Sequence, residues 1–221
     1  MNEVDPRNPT GIVRTQQEID ESTRQTYWIH AVEYGLQYYV TGRFAVASRF
    51  TPIGPSLLHH AVEMLLKACL AYNDSVETIK SYGHKRSYRH SLVKLWEEFR
   101  RRNVNIDTTE FDGVIYRLDA FDHIRYPDNL VTEGAYLQVG MFEVEQPTAP
   151  PETPERSEPT YTLMLPQIDR LIRLLFEHTH FNPPAVQSLF SSEHAIAFFR
   201  LHNLTSLEGV VPLGKLLIPQ E

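Results

Sequence analysis

The sequence predicts an all-α protein, an up-and-down helical bundle, from three observations. Apolar residues recur at three- and four-residue intervals in several segments between Gln16 and Phe176, which is the period of an amphipathic helix. Prolines, glycines or short polar stretches separate these segments, and residues that favour helix caps precede several of them. The composition, 42% hydrophobic and 22% charged, is typical of a globular domain with a substantial core.

The first helix is expected to be long. Residues 1–15 contain two prolines and a glycine without helical periodicity, so they are predicted to form a flexible arm. Apolar periodicity starts after Gln16 and continues past Gly35 and Gly42, so that one helix is expected there. Residues 51–55 carry two prolines and a glycine, which should end it, and Ser56 is placed to cap the next helix.

The second helix, residues 56–72, is apolar almost all round and is therefore expected to be buried. One polar seam interrupts it, formed by His60, Glu63, Lys67 and Asp74. Because burying a charge without a partner is costly, this seam must either face water or meet polar partners inside a cleft.

Two further helices follow. Ser91 is a plausible cap for the third, which carries the apolar stripe 92, 95, 96 and 99. Asp107 and Glu110 have the spacing of a capping box for the fourth, and Ile106 and Phe111 have that of a hydrophobic staple. Pro127 should end this helix, since the residue before a proline is pushed out of helical geometry.

The rest of the chain is more irregular. Residues 134–146 favour β-structure and contain two glycines, which is compatible with a short hairpin or a single strand. Residues 147–159 form a Pro-rich loop by composition, and helical periodicity resumes near Pro166. The bundle is therefore predicted to cover residues 16–180, and residues 181–221 to form short helices and a tail.

Charge limits the classes of partner. The net charge of −7 argues against general coating of nucleic acids, which depends on many Lys and Arg contacts to phosphate. Positive charge is concentrated between Lys80 and Arg102 with tyrosines among the cations, and the centre of this basic patch is Lys85, Arg86 and Arg89. Aromatic and basic side chains together bind single-stranded nucleic acid, although a solvated loop and helix rim explains the same pattern.

Several other classes are disfavoured. No apolar run reaches the length of a membrane span and no signal peptide is evident, so a cytoplasmic protein without a membrane partner is expected. A single cysteine, Cys69, excludes an internal disulfide and is expected to be packed. His59 and Glu63 have the i, i+4 spacing of two metal ligands, but no third spaced ligand supports them, so the sequence predicts neither a metal nor a cofactor.

Three blocks of sequence together resemble the HEPN family, the higher eukaryotes and prokaryotes nucleotide-binding domains. These blocks are LLHHAVEMLLKA at residues 57–68, RHSLVKLW at residues 89–96 and IRYPD at residues 124–128. The resemblance covers roughly residues 30–180, and it implies an all-α bundle, usually a homodimer. Family members act as RNases, as toxins or antitoxin partners in defence, or as accessory modules beside nucleotidyltransferases.

The resemblance also implies a binding role rather than catalysis. RNase members carry an Arg, four to six intervening residues and then a His, but the residues at those distances from Arg125 are Leu130, Val131 and Thr132. Loss of a general acid/base costs a rate factor of about 10²–10⁴. The leading hypothesis is therefore a catalytically degenerate module that binds nucleotide or RNA. The side chains expected to line its inter-helix groove are Glu63, Lys67, His90, Arg125 and Tyr126.

Alternatives remain open at this point. Arg117 with His123, and Arg173 with His178 or His180, are weaker catalytic candidates, because residues five or six apart on a regular helix point in different directions. Such a pair would make the protein a metal-independent RNase of toxin or defence type. Glu63 and Arg125 are also compatible with an internal ion pair, and the whole chain with a dimerising structural partner that binds no ligand.

Overall fold

The computed structural model describes residues 14–50, 53–84, 91–124, 136–140 and 160–181. This part of the chain is mostly helical, which confirms the all-α prediction. The predicted arm before residue 14, the Pro-rich loop 147–159 and the tail after residue 181 lie outside the described residues. The elements are α1 Gln16–Ala47, α2 Ile53–Ala71, α3 Val76–His84, α4 Leu92–Arg102, α5 Asp112–Ile124, β1 Tyr136–Gly140, β2 Thr160–Met164 and α6 Leu165–Glu177.

Helix α1 starts where the sequence predicts and is continuous across both glycines. Thr15 caps it in a capping box, since its hydroxyl accepts from the Glu18 backbone N–H at 3.3 Å and the Glu18 carboxylate accepts from the Thr15 N–H at 2.8 Å. Helix α2 begins at Ile53, so the prediction that Ser56 caps it is wrong. Pro55 is tolerated in the first turn because that turn needs no N–H donor from it.

Helix α3 was not anticipated, because the charges after Lys80 favour a loop. Ser75 accepts from the Thr78 backbone N–H at 3.3 Å, and Val76, Ile79 and Tyr82 are buried at helical spacing. The capping box predicted for α5 is also wrong. Asp107 accepts instead from the Thr109 backbone N–H at 3.1 Å, and a 3-10 turn, Thr109–Phe111, precedes the helix.

Strand β1 lies within residues 134–146, where the sequence predicts a short hairpin or a single strand, whereas β2 follows the Pro-rich loop. Strand β1 pairs with β2 in a register that matches Tyr136 with Thr160 and Gly140 with Met164. Because hairpin strands are antiparallel, β1 and β2, which pair in parallel, are not the two arms of the predicted hairpin. Residues 141–146 lie outside the described residues. The alternation of β-branched and aromatic residues in β2, with Leu163 buried, is a sequence signal that the initial prediction missed.

Helix α2 lies at the centre of the bundle and contacts every other long helix, as its nearly uniform hydrophobicity predicts. Helices α1 and α2 are antiparallel, because Arg24 bonds the Tyr72 carbonyl at one end and Gly54 meets Val46 at the other. Helices α4 and α5 are also antiparallel, since the Leu92 N–H donates to Asp119 at 2.6 Å.

The expected up-and-down alternation does not hold between α2 and α4. The Arg102 guanidinium at the end of α4 donates to the Leu70 carbonyl near the end of α2, at 3.3 Å. The start of α4 lies instead near Asp119, next to Leu118, whose carbonyl contacts His59 close to the start of α2. Helices α2 and α4 therefore run in the same direction.

Close packing between α1 and α2 depends on glycines. A Cβ on Gly54 would lie 2.7 Å from Val46 Cγ2 and 3.0 Å from the Val46 backbone nitrogen. A backbone atom cannot move aside as a flexible side chain can, so this approach excludes larger residues. Gly113 on the exposed side of α5 is different, because its nearest neighbour would be the end of the Arg117 side chain at 3.4 Å.

Two Gly→Ala substitutions should therefore have opposite effects. Gly54→Ala is expected to lower the free energy of unfolding by about 1–3 kcal/mol through overpacking. Gly113→Ala is expected to raise it by about 0.5–1 kcal/mol, because alanine favours the helix and meets no obstacle. Urea unfolding followed by circular dichroism measures both, and a stabilised Gly54→Ala variant would contradict the packing of α1 against α2.

Candidate functional site

The structure describes only part of the predicted binding site. Glu63 and Lys67 are described in full, whereas only the helical backbone is described for His123. The other predicted site residues lie outside the described residues, namely Lys85, Arg86, Arg89, His90, Arg125 and Tyr126. The groove predicted between Glu63 and Arg125 therefore stays a prediction.

The polar seam of α2 turns inward at Glu63 and Lys67. These residues are only 1% and 6% exposed, and the Lys67 Nζ lies 2.5 Å from the Glu63 Oε1. One helical turn separates them, so the helix itself aligns the two charges. The seam therefore meets polar partners inside the protein, which was one of the two alternatives left open by the sequence.

Two histidines complete this buried cluster, which we call the His–Glu–Lys cluster: His59, His60, Glu63 and Lys67. The His60 Nδ1 lies 3.2 Å from the Glu63 Oε2, and the His59 Nδ1 lies 3.0 Å from the Leu118 carbonyl oxygen on α5. The rings of His59 and His60 meet edge to face at 5.5 Å between centroids. His59 is 1% exposed, whereas a quarter of the His60 side chain reaches the surface.

The His–Glu–Lys cluster also affects the pKa of a tyrosine on α1. Burial, with a smaller contribution from the negative charge of Glu63, raises the pKa of Tyr27 to about 12. This direction is expected because both causes disfavour a second negative charge. The ring of Tyr38 on α1 lies 5.5 Å from that of His60, at the point where the cluster approaches the surface.

The relative direction of α2 and α5 determines which of the predicted site residues lie close together. Helix α5 runs antiparallel to α2, and Leu118 is level with His59. Glu63 lies one turn further along α2, whereas Ile124, where α5 ends, lies in the opposite direction along the shared axis. The His–Glu–Lys cluster therefore faces the middle of α5, and the end of α5 points toward the first turn of α2.

The weaker catalytic candidates have other partners. The Arg117 guanidinium donates to the Gln167 side chain on α6 at 2.7 Å. Arg173 lies on the surface and pairs with Glu177 at 3.3 Å, while the ring of His178 packs against Phe99 at 5.8 Å. Burial lowers the pKa of His178. Arg173 and His178 thus engage different parts of the protein.

The end of the basic stretch is largely neutralised. Arg100 pairs with Asp112 at 3.0 Å, Arg101 with Glu98 at 2.7 Å, and Arg102 with Asp74 at 2.7 Å. Arg100 connects α4 with the start of α5, and Arg102 connects α4 with the residues after α2, whereas the Arg101 pair lies within α4. The basic patch itself, Lys85, Arg86 and Arg89, lies outside the described residues, so nucleic-acid binding there stays a prediction.

A cleft between α1, the end of α2 and the turn after α6 was not predicted. This Trp28 cleft has a volume of about 360 Å³ and is lined by Glu21, Arg24, Gln25, Trp28, Ile29, Tyr72 and His180. The Trp28 ring is 5.8 Å from that of Tyr72, and the Tyr72 ring is 4.3 Å from that of His180. The cleft thus combines three aromatic rings with polar groups at its rim.

The walls of the Trp28 cleft are held in place. The Trp28 Nε1–H donates to the Thr179 carbonyl at 2.8 Å, which ties α1 to the turn after α6. His180 has a left-handed backbone with φ of 59°, and the Thr179 hydroxyl supports the turn by accepting from the Phe181 N–H at 3.3 Å. Residues held in sparsely populated backbone regions concentrate at functional sites. Sequence patterns cannot reveal this cleft, because its walls come from three distant segments.

A second groove, the Tyr38 groove, lies on the opposite half of α1. Its volume is about 310 Å³ and its lining residues are Tyr34, Gln37, Tyr38, Thr41 and Leu57. Tyr38 also borders the His–Glu–Lys cluster through its contact with His60. None of the helices in the described ranges is both long and apolar enough to cross a membrane.

Compared with known proteins, the chain matches no family model, no curated sequence and no solved structure.

Proposed function

We propose that this protein is a HEPN-like helical module that binds a nucleotide or single-stranded RNA and acts as an accessory or regulatory protein without RNase activity of its own. The three sequence blocks and the mostly helical bundle support the family resemblance. The observation that carries the binding proposal is the Trp28 cleft, because it combines aromatic faces with a guanidinium. A homodimer, and a nucleotidyltransferase as partner, remain part of this proposal.

Base stacking is the first contribution of the Trp28 cleft. The side chains of Trp28, Tyr72 and His180 line one opening, and Tyr72 is 39% exposed. Stacking of a base on an aromatic side chain contributes about 1–3 kcal/mol and does not depend on which base is present. A volume of about 360 Å³ lies within the range of small-molecule sites. The Gln25 amide at the rim can both donate to and accept from a base edge.

Phosphate binding is the second contribution. Arg24 lies in the cleft and bonds to Glu21 on the same helix at 2.8 Å, with 30% and 47% of the two side chains exposed. The guanidinium also donates to the Tyr72 carbonyl, which holds it at the cleft. Because an ion pair as exposed as Arg24–Glu21 contributes little stability, the donors that face Glu21 can exchange this carboxylate for a phosphate oxygen. Glu21 then repels the phosphate, which keeps the affinity for a single nucleotide modest and favours release.

Binding can be measured through the tryptophans. The chain has two, and Trp96 is only 3% exposed in the core, so quenching by a ligand reports on Trp28. Nucleoside monophosphates and short single-stranded RNAs are expected to quench this fluorescence near physiological salt. Tyr72→Leu and His180→Asn, which keep apolar packing and the left-handed turn, should each weaken binding about 5- to 100-fold. Tyr116→Leu, an exposed tyrosine on α5, is the control.

The same titration separates the possible locations of the site. Loss of RNA binding in Arg125→Ala but not in Tyr72→Leu would move the site to the end of α5, where the resemblance implies it. Absence of any binding in both fluorescence and calorimetry would refute the proposed function. Cleavage of RNA by the purified protein without metal, abolished by Arg125→Ala or His123→Ala, would replace it by the RNase alternative.

A further inference from the structure

The His–Glu–Lys cluster contains three groups that ligate metals, held by one rigid helix. Three ligand atoms, one from each of His59, His60 and Glu63, lie within 4.8 Å of one another. His59 and Glu63 share a face of α2 because they are four residues apart, and the ring of His60 turns toward Glu63 to complete the set. The third ligand missing from the sequence pattern is thus the residue next to the first.

The tautomer of His59 is fixed by its contact with α5. Its Nδ1 lies 3.0 Å from the Leu118 carbonyl oxygen, which only accepts, so Nδ1 carries the proton and donates. The Nε2 atom then carries the lone pair that a metal requires. A histidine whose other nitrogen donates to a backbone carbonyl is the common arrangement at metal sites, because this contact fixes the tautomer and the orientation of the ring.

We propose that His59, His60 and Glu63 form a binding site for a divalent transition-metal ion of the Zn²⁺ class. Two histidines and one glutamate are the protein ligands of open zinc sites, in which water or a substrate takes the fourth position. Ligand atoms about 2.0–2.2 Å from a tetrahedral ion lie about 3.4 Å apart, so small side-chain rotations must bring the most distant pair closer. His60, which is partly exposed beside Tyr38, gives the ion a path from solvent.

Lys67 affects the metal affinity of this site. Its ammonium bonds to the Glu63 Oε1, while Oε2 faces His60. The ammonium and the ion share one carboxylate and repel each other at short range, so Lys67 weakens metal binding while orienting the ligand. This arrangement predicts that removing the ammonium strengthens metal binding, which a purely structural Glu63–Lys67 pair does not predict. The inference is independent of the Trp28 cleft and of the proposed function.

Metal titration of the full chain tests the proposal. Protein stripped with a chelator is titrated with Zn²⁺ in competition with a chromophoric chelator, and with Co²⁺, whose visible absorption reports ligand number and geometry. One ion per chain with a four-coordinate Co²⁺ spectrum is expected. His60→Gln and His59→Asn should each lower the affinity at least about tenfold. The asparagine keeps a donor near the Leu118 carbonyl, and His30→Gln, an exposed histidine on α1, is the control.

Each outcome of this titration bears on the site. If His59→Asn does not fold, the partly exposed His60→Gln alone carries the test, with thermal stabilisation by Zn²⁺ as a second readout. Lys67→Met is expected to bind Zn²⁺ more tightly than the unmodified chain. The proposal would be overturned if the chain took no Zn²⁺ from the chelator, or if His60→Gln and His30→Gln bound Zn²⁺ with equal affinity. Weaker Zn²⁺ binding by Lys67→Met would also overturn it.

Discussion

Glu63→Gln is expected to lower the free energy of unfolding by about 3–5 kcal/mol. The substitution keeps the shape of the side chain but removes the charge that lies 2.5 Å from the Lys67 ammonium, at a position where Lys67 is only 6% exposed. A buried cation that loses its carboxylate must either stay charged in a poorly solvated environment or give up its proton. Both cost free energy, and urea unfolding followed by circular dichroism measures the sum.

The chain contains a matched control for this change. Arg173 and Glu177 form a pair with the same i, i+4 spacing on α6, but 52% and 56% of their side chains are exposed. Glu177→Gln should cost about 0–1 kcal/mol, because water already solvates both charges. If Glu63→Gln costs no more than Glu177→Gln, the pair is not buried as described, and the His–Glu–Lys cluster has no structural role.

The double variant Glu63→Gln with Lys67→Met separates pairing from packing. Removing both charges eliminates the uncompensated cation, so the double variant should be more stable than Glu63→Gln alone. Additive losses would mean that the two side chains act independently, contrary to the contact at 2.5 Å.

Asp169→Ala should have an effect of similar size, about 3–5 kcal/mol, for the same physical reason at a different place. Asp169 on α6 is 8% exposed and accepts from the Tyr39 hydroxyl at 2.6 Å and from the Arg43 Nε–H at 2.8 Å. Its loss leaves the Arg43 guanidinium, 14% exposed, beside a cavity without a carboxylate. Helices α1 and α6 lose their main polar connection, so thermal unfolding should begin at a lower temperature.

Asp112→Ala provides the comparison for Asp169→Ala. Asp112 also accepts from an aromatic N–H and a guanidinium, namely Trp96 at 2.7 Å and Arg100 at 3.0 Å. Its side chain and that of Arg100 are 33% and 41% exposed, so a loss of about 1–2 kcal/mol is expected, mainly from the hydrogen bond to Trp96. Equal losses at both sites would show that burial does not set the strength of these contacts.

Local sequence features predicted most helices well, because a helix is specified by residues three and four apart. The continuous α1, the buried α2, the Ser91 cap of α4 and Pro166 near the start of α6 all follow from such local patterns. The errors also have local causes. Residues 51–55 predict a break, although a first turn tolerates Pro55. The charges around α3 favour a loop, although Val76, Ile79 and Tyr82 have helical spacing.

The candidate functional sites show the same difference between what local patterns predict and what helix packing produces. Periodicity and composition are properties of single segments, and they predict an all-α protein with one buried helix that carries a polar seam. The inward turn of this seam and the convergence of His59, His60 and Glu63 result from helix packing. The same holds for the cleft shared by Trp28, Tyr72 and His180. Side-chain orientation within the helix and contacts between distant segments depend on how the helices pack, and no local pattern encodes them.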